Sequence, residues 1–260
     1  MSLSLEPTTT SIPIANCHED GNHSLINYID RDDLPEDSKL LEKIRLNDPN
    51  DSFFPLIKEK DDESGQNIYI SGPAGCGKST FIRQYVLHFL KKYPKAPVLL
   101  FTCKSTDKTL DNIKQIKRVR IDDDMLQNRL TLQEISAKKN PFVLVIFDDI
   151  EDFPNKKLNF EINRLCNEVI RCGRSYNLIT CYVNHDSCAY SQTKLFIKEA
   201  TQIVMMPYRA PKSTYDLLMN NYLKLSGKNQ NLIKNVKSKY VVVNRSRPEF
   251  ILSDKYIILV

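Results

Sequence analysis

Nine consecutive residues, Gly72-Pro73-Ala74-Gly75-Cys76-Gly77-Lys78-Ser79-Thr80, have the types and spacing that suit a bound phosphate chain. They fit G-x-x-x-x-G-K-[ST], a loop whose backbone N–H groups cradle phosphates. Glycines let the backbone approach phosphate oxygens closely, and a following helix adds the partial positive charge of its N-terminus. Lys78 is expected to reach the β- and γ-phosphates, and the Ser79 hydroxyl to bind Mg²⁺. The chain has only seven glycines and three of them lie here. At average glycine usage the pattern would arise by accident in roughly one chain in a hundred of this length, and glycine scarcity makes accident rarer still.

A second set of residues completes that chemistry. Phe142-Val143-Leu144-Val145-Ile146-Phe147 is the most apolar run in the chain and ends in Asp148-Asp149. An acidic pair at the end of a buried strand is the Walker B pattern that accompanies such a loop. Asp148 is expected to bind Mg²⁺ through its water shell. Asp149 is the candidate base that orients the attacking water, with Glu151 in reserve. Together the two motifs argue for hydrolysis over storage. No guanine-reading N-K-x-D motif is present, so ATP is preferred to GTP. The seven cysteines are scattered and form no C-x-x-C pair, which fits reduced thiols in a cytosolic setting. Cys76 lies inside the loop, so its modification should block nucleotide binding. Cys17, His18 and His23 lack the second ligand pair that a zinc site needs.

These residues need a strand before the loop, a helix after it, and a second buried strand nearby. Asn67–Ser71 is short and rich in β-formers, and Phe81, Ile82, Tyr85, Val86 and Phe89 recur at helical spacing until Lys91, Lys92 and Pro94. Further strands are expected at Pro97–Cys103, Ile116–Ile121, Phe142–Phe147, Leu178–Val183, Gln202–Met206, Tyr240–Val243 and Tyr256–Leu259. Helices are expected through Met125–Lys138 and near Leu158–Cys172, Gln192–Glu199, Ser213–Leu225 and Asn231–Val236. The alternation predicts an α/β P-loop NTPase fold: a mainly parallel β-sheet with helices on both faces and the ligand at the carboxyl ends of the strands. The ATPase domain is expected over 56–260. Residues 1–55 form an acidic, largely flexible N-terminal extension with a helical piece around Ser38–Arg45.

Charge divides the chain in the same way. Residues 1–65 carry six basic and fifteen acidic residues, whereas the whole chain has net charge +5. The excess of positive charge therefore lies after the loop's leading strand. Lys104, Lys108, Lys114, Lys117, Arg118 and Arg120 form one basic group. Lys228, Lys234, Lys237, Lys239, Arg245 and Arg247 form another. Such groups suit a phosphate backbone, or a solvated lysine-rich face. Sparse aromatic interleaving disfavours single-strand stacking. No segment approaches the length of a membrane span and the N-terminus shows no signal h-region, so neither secretion nor membrane insertion is expected.

The segment after the acidic pair discriminates among families. Gly173-Arg174-Ser175-Tyr176-Asn177 follows a helix and precedes the strand Leu178–Val183, which leads to Asn184-His185. Over roughly 67–207 the chain resembles the poxvirus-type genome-packaging ATPases of large DNA viruses and their small relatives, within the FtsK/HerA superfamily. Those proteins carry a Gly-Arg-His-x-Asn-like stretch and a following strand that ends in a γ-phosphate-sensing Gln. Here Ser175 replaces the His and the Gln is absent, leaving Asn184 or His185. Asn184 is preferred because it offers the same amide on a shorter arm. The resemblance implies an ATP-driven motor that pushes double-stranded DNA into a capsid. Such motors form homo-oligomeric rings, commonly hexamers, with capsid proteins as further partners. It also implies a location in the host cytoplasm, a viral factory or the virion. A neighbouring subunit's arginine would complete each site, Arg174 first and Arg171 second. The implied catalytic set is Lys78, Asp149, Arg174 and Asn184. The alternatives are an AAA+ loader, a helicase, or a nucleotide-gated capsid assembly protein without turnover.

Overall fold

The computed structural model describes residues 1–19, 22–33, 41–60, 62, 65–136, 141–150, 155–188 and 190–260. Five strands precede the loop: β1 (Ser2–Ser4), β2 (Ile12–Glu19), β3 (Asn22–Ile29), β4 (Lys43–Arg45) and β5 (Ser52–Pro55). The strand β6 (Gln66–Ser71) enters the loop and α1 (Lys78–Lys92) leaves it. Then come β7 (Val98–Thr102), β8 (Ile116–Arg120), α2 (Asp124–Gln127), α3 (Leu132–Ile135), β9 (Val143–Asp148), α4 (Lys156–Cys172) and β10 (Leu178–Asn184). The chain ends with α5 (Tyr190–Glu199), β11 (Gln202–Met205), α6 (Gly227–Asn235), β12 (Val241–Asn244), β13 (Phe250–Ser253) and β14 (Tyr256–Leu259).

Ten strands form one sheet in the order β4-β14-β13-β12-β11-β6-β10-β9-β7-β8. The six from β11 to β8 are parallel, and the four on the other side are antiparallel. The central parallel strands β9 and β10 are buried along their whole length and largely apolar, because both faces are covered. Along β9, Leu144 and Ile146 face one core cluster, while Val143, Val145 and Phe147 face the other. The period of two divides the strand cleanly between layers. The first layer holds α1, through Phe81, Ile82, Tyr85, Val86 and Phe89. The second holds α4 and α5, through Ile162, Leu165, Val169, Phe196 and Ile197. Helices on both faces of a mainly parallel sheet are what the alternation predicted.

The N-terminal segment departs from expectation. In place of a flexible extension, β1, β3, β2 and β5 form a four-stranded antiparallel sheet. Leu3, Ile14, Cys17, Ile26, Phe53 and Phe54 join the core cluster of α1. Phe54 stacks on His88 with 4.5 Å between ring centroids and lies 5.4 Å from Phe81. Strands β2 and β3 run for eight residues each but mix apolar with polar residues, so the acidic, polar composition hides them. The helix expected around Ser38–Arg45 falls partly on 38–40, outside the described residues. Lys43–Arg45 is extended and pairs with β14, placing Ile44 opposite Ile257. The helix expected through Met125–Lys138 is two short helices, α2 and α3, and residues 137–138 lie outside the described residues. Within Ser213–Leu225 the only regular helix is a π-helical segment, Leu218–Tyr222. No strand was expected at β13, which pairs between β12 and β14.

Candidate nucleotide site

The strand order brings the motifs together. Strand β10 lies between β6, which leads into the glycine loop, and β9, which ends in Asp148; β7 follows on the far side of β9. Asn184 pairs in register with Ser71, while Val183 and Thr102 both pair with Asp148. The carboxyl ends of four adjacent parallel strands therefore present the loop, Asn184-His185, Asp148-Asp149 and Cys103-Lys104 side by side. A parallel sheet places ligands at this edge.

The loop has the backbone that its sequence requires. Gly75 and Gly77 have φ of 73° and 115°, a region that only glycine enters without cost. Gly77 is the N-cap of α1, so the helix N-terminus opens into the loop. Gly72 is held from below: a Cβ there would lie 2.7 Å from Tyr215 Oη and 2.8 Å from Cys76 Sγ. Tyr215 Oη accepts from Met206 N and donates to Ser71 O, both at 3.0 Å. This buried tyrosine fixes the floor of the loop, and neither motif hints at it. Burial pushes the Cys76 thiol up, against the pull of Lys78, so Cys76 packs under the loop as an unreactive thiol. Lys78 Nζ donates to Gly72 O at 2.5 Å and to Pro73 O at 3.1 Å. Burial pushes the Lys78 ammonium's pKa down, opposed by Cys76, Asp149 and Asp148.

One charged network joins the two motifs. Lys78 Nζ lies 3.2 Å from His185 Nδ1, and His185 Nε2 lies 2.6 Å from Asp149 Oδ1. With Nδ1 accepting from an ammonium, the ring carries its proton on Nε2 and donates it to Asp149. Lys104 Nζ forms an ion pair with Asp149 Oδ2 and lies 3.5 Å from Asp148 Oδ2. Asp148 is buried, and burial followed by the neighbouring Asp149 charge raises its pKa. Burial acts the same way on Asp149, but Lys104 and then His185 outweigh it and hold that carboxyl below the usual range. Asp149 also has φ of 52°, a strained turn that aims its carboxylate back across the strand ends.

Asn184 and His185 divide the place where a sensor was expected. Asn184 is buried, and its Oδ1 accepts from Asp186 N at 2.7 Å. Its Nδ2 is buried without a partner among the described residues. His185 is the one that spans Lys78 and Asp149. Glu151 lies outside the described residues. Ser79 and Asp148 are oxygen donors of the kind Mg²⁺ takes, and the ammonium of Lys104 is a cation held against Asp148 and Asp149.

Arg174 and Arg171 are not brought to this site. Both are exposed and precede β10, while Asn184 ends it. The strand's seven residues separate the two ends by roughly 20 Å. Arg174 packs near Gly65, before the start of β6. The basic groups are partly committed elsewhere. Arg118 pairs with Asp111, Lys234 with Asp216, and Arg245 Nη1 donates to the carbonyls of Ile197 and Ala200 at the end of α5. Lys239 instead lines a cavity of about 380 Å³ beside Thr80, with Gln84, Tyr208, Arg209 and Tyr240.

Comparison with known proteins agrees with this architecture. A family model described as RNA helicase matches residues 68–143. The uncharacterized protein V3 of Sputnik virophage is 28% identical over 187 residues, 71% of this chain and 73% of that protein. Among solved structures, B204, the DNA-packaging ATPase from Sulfolobus turreted icosahedral virus, is 18% identical with a TM-score of 0.52. That match covers 74% of this chain and 98% of B204. The pCW3 conjugation coupling protein TcpA, solved with ATPγS, is 13% identical with a TM-score of 0.52, covering 93% of this chain and 76% of that one. The fold is the P-loop ATPase fold that these two proteins share. No helix among the described residues is long and apolar enough to cross a membrane.

Proposed function

We propose that this chain is an ATPase that moves double-stranded DNA and packages a viral genome into a capsid. The observation that carries the ATPase reading is the convergence of Lys78, Asp148, Asp149 and His185 at one sheet edge. In this reading the amides of 72–80 and the start of α1 hold the triphosphate. Lys78 leaves the loop carbonyls for the β- and γ-phosphates, and Thr80 faces the nucleoside in the adjoining cavity. Ser79 and Asp148 would hold Mg²⁺, which when bound neutralises phosphate charge. Asp149 accepts the proton of the attacking water. Asn184 and His185 lie at the end of β10 beside the loop and Asp149, so either would be placed to report loss of the γ-phosphate.

The DNA-moving part rests on the resemblance and on what B204 is named for. Arg174 is exposed roughly a strand's length from its own site, so as an arginine finger it would act in a neighbour's site of a ring. The test is ATPase activity of the assembled protein with and without duplex DNA, beside Lys78→Ala. Stimulation by duplex DNA that Lys78→Ala abolishes is the expected result. Equal rates with and without DNA would remove the motor reading. The match to an RNA helicase model at residues 68–143 supports a second reading, a helicase. Unwinding of a forked duplex without net movement along blunt duplex would favour it. Tight nucleotide binding with no turnover would favour a nucleotide-gated assembly protein.

A further inference from the structure

Lys104 lies two residues beyond the end of β7, at the carboxyl edge where the sheet collects its ligands. Its composition-level role is one member of a basic group, yet its ammonium is turned inward onto both acidic residues of the site. Its backbone is tied down. Lys104 N donates to Thr102 Oγ1 at 3.2 Å, and its carbonyl accepts from Arg118 Nη1 at 2.8 Å. The side chain itself is 40% exposed. A fixed pivot with a free arm is suited to exchange between partners.

We infer that Lys104 is the resident countercation of Asp148 and Asp149, which a divalent metal must displace, so that metal enters with the triphosphate and not alone. The inference rests on the ATPase reading above. Two adjacent carboxylates, one of them buried, cannot both stay ionised without a cation beside them. The ammonium supplies that cation from within the chain. A dication approaching the same oxygens meets a like charge a few ångströms away, and must eject it. A triphosphate changes the balance twice over: it brings its own anionic ligands for the metal, and it offers the displaced ammonium new partners in phosphate oxygens. A surface ion pair would do neither, since both of its charges would be solvated.

The experiment is a Mn²⁺ titration of the full chain followed by electron paramagnetic resonance, without nucleotide and with a non-hydrolysable ATP analogue. Wild type is compared with Lys104→Met, Lys104→Gln and Lys104→Arg, each checked by melting temperature. Without nucleotide, Lys104→Met and Lys104→Gln should bind Mn²⁺ about tenfold or more tightly than wild type, from the lost like-charge repulsion at this range. Lys104→Arg should stay close to wild type. With the analogue, the gap should narrow. If the folded Met and Gln variants bind Mn²⁺ no more tightly than wild type without nucleotide, the inference is overturned. Failure of every protein to bind the analogue would instead overturn the ATPase reading, while the nucleotide-free arm still decides the role of Lys104.

Discussion

At the scale of single residues, Asp149 carries the most chemistry and the most constraint. It pairs with Lys104 and His185 and holds a positive φ. Replacing it with Asn keeps the shape, tolerates the left-handed backbone and removes the proton acceptor. Asp149→Asn should therefore still bind ATP, while single-turnover hydrolysis falls by about 10²–10⁴. Unchanged turnover would move the base role elsewhere. Residue types and spacing made Lys78, Ser79, Asp148 and Asp149 legible, because each belongs to a short contiguous motif. Lys104 and His185 were legible only as a charge in a group and as one of two sensor candidates. Their partners lie 45 and 107 residues away along the chain, and nothing local records that pairing.

At the scale of elements, the strand–loop–helix unit depends on how closely its floor packs. Gly72 rests on Tyr215 and Cys76, and any Cβ would meet them below 3.0 Å. Gly72→Ala should lift the loop from Ser71 and cost about 1–3 kcal/mol in stability, with nucleotide affinity reduced along with it. Chemical denaturation and a nucleotide titration would check both effects. Full stability and affinity in that variant would show that Tyr215 yields. Elements were legible where apolar runs were long. The strands β6, β7, β9 and β10 and the helices α1 and α4 all fall within a few residues of the expected ranges. Strands β1, β4, β5 and β13 span three or four residues each, and β2 and β3, with eight residues each, mix apolar with polar residues, so no long apolar run marks any of them.

At the scale of the whole molecule, the N-terminal sheet is part of the core. Leu3, Ile26, Phe53 and Phe54 are buried, and each such side chain contributes about 1.5–3 kcal/mol. Their sum is comparable to the stability of an ordinary domain, about 5–15 kcal/mol. Deleting residues 1–60 should therefore unfold the chain or leave it aggregated. A cooperative melt at the wild-type temperature in the truncated protein would contradict this. The same junction predicts a pH dependence. Burial, followed by His18 and Lys91, lowers the His88 pKa to about 4 from an ordinary 6.5, and burial followed by His23 and Lys91 lowers that of His18. The unfolded chain then binds more protons below 6.5, so stability is present above that pH and is lost as pH falls toward 4. The melting temperature should drop across that window, and His88→Phe, which keeps the stack on Phe54, should flatten part of the drop. A pH-independent melt from 7 to 4 would rule out this coupling.

The sequence by itself determined that a triphosphate-binding loop, a buried acidic strand and an alternating α/β order are present. These follow from interactions between near neighbours: glycine backbone freedom, helical and strand periodicity, and the burial of an unbroken apolar run. Tertiary structure alone decided that β10 stands between the two motifs and that Lys104 and His185 close a charged circuit around Asp149. It also decided that the acidic N-terminus folds against α1, and that Arg174 faces away from its own site. Each of these is a meeting of segments far apart in the chain, chosen by which apolar faces can be buried together, and no short stretch of residues encodes that choice.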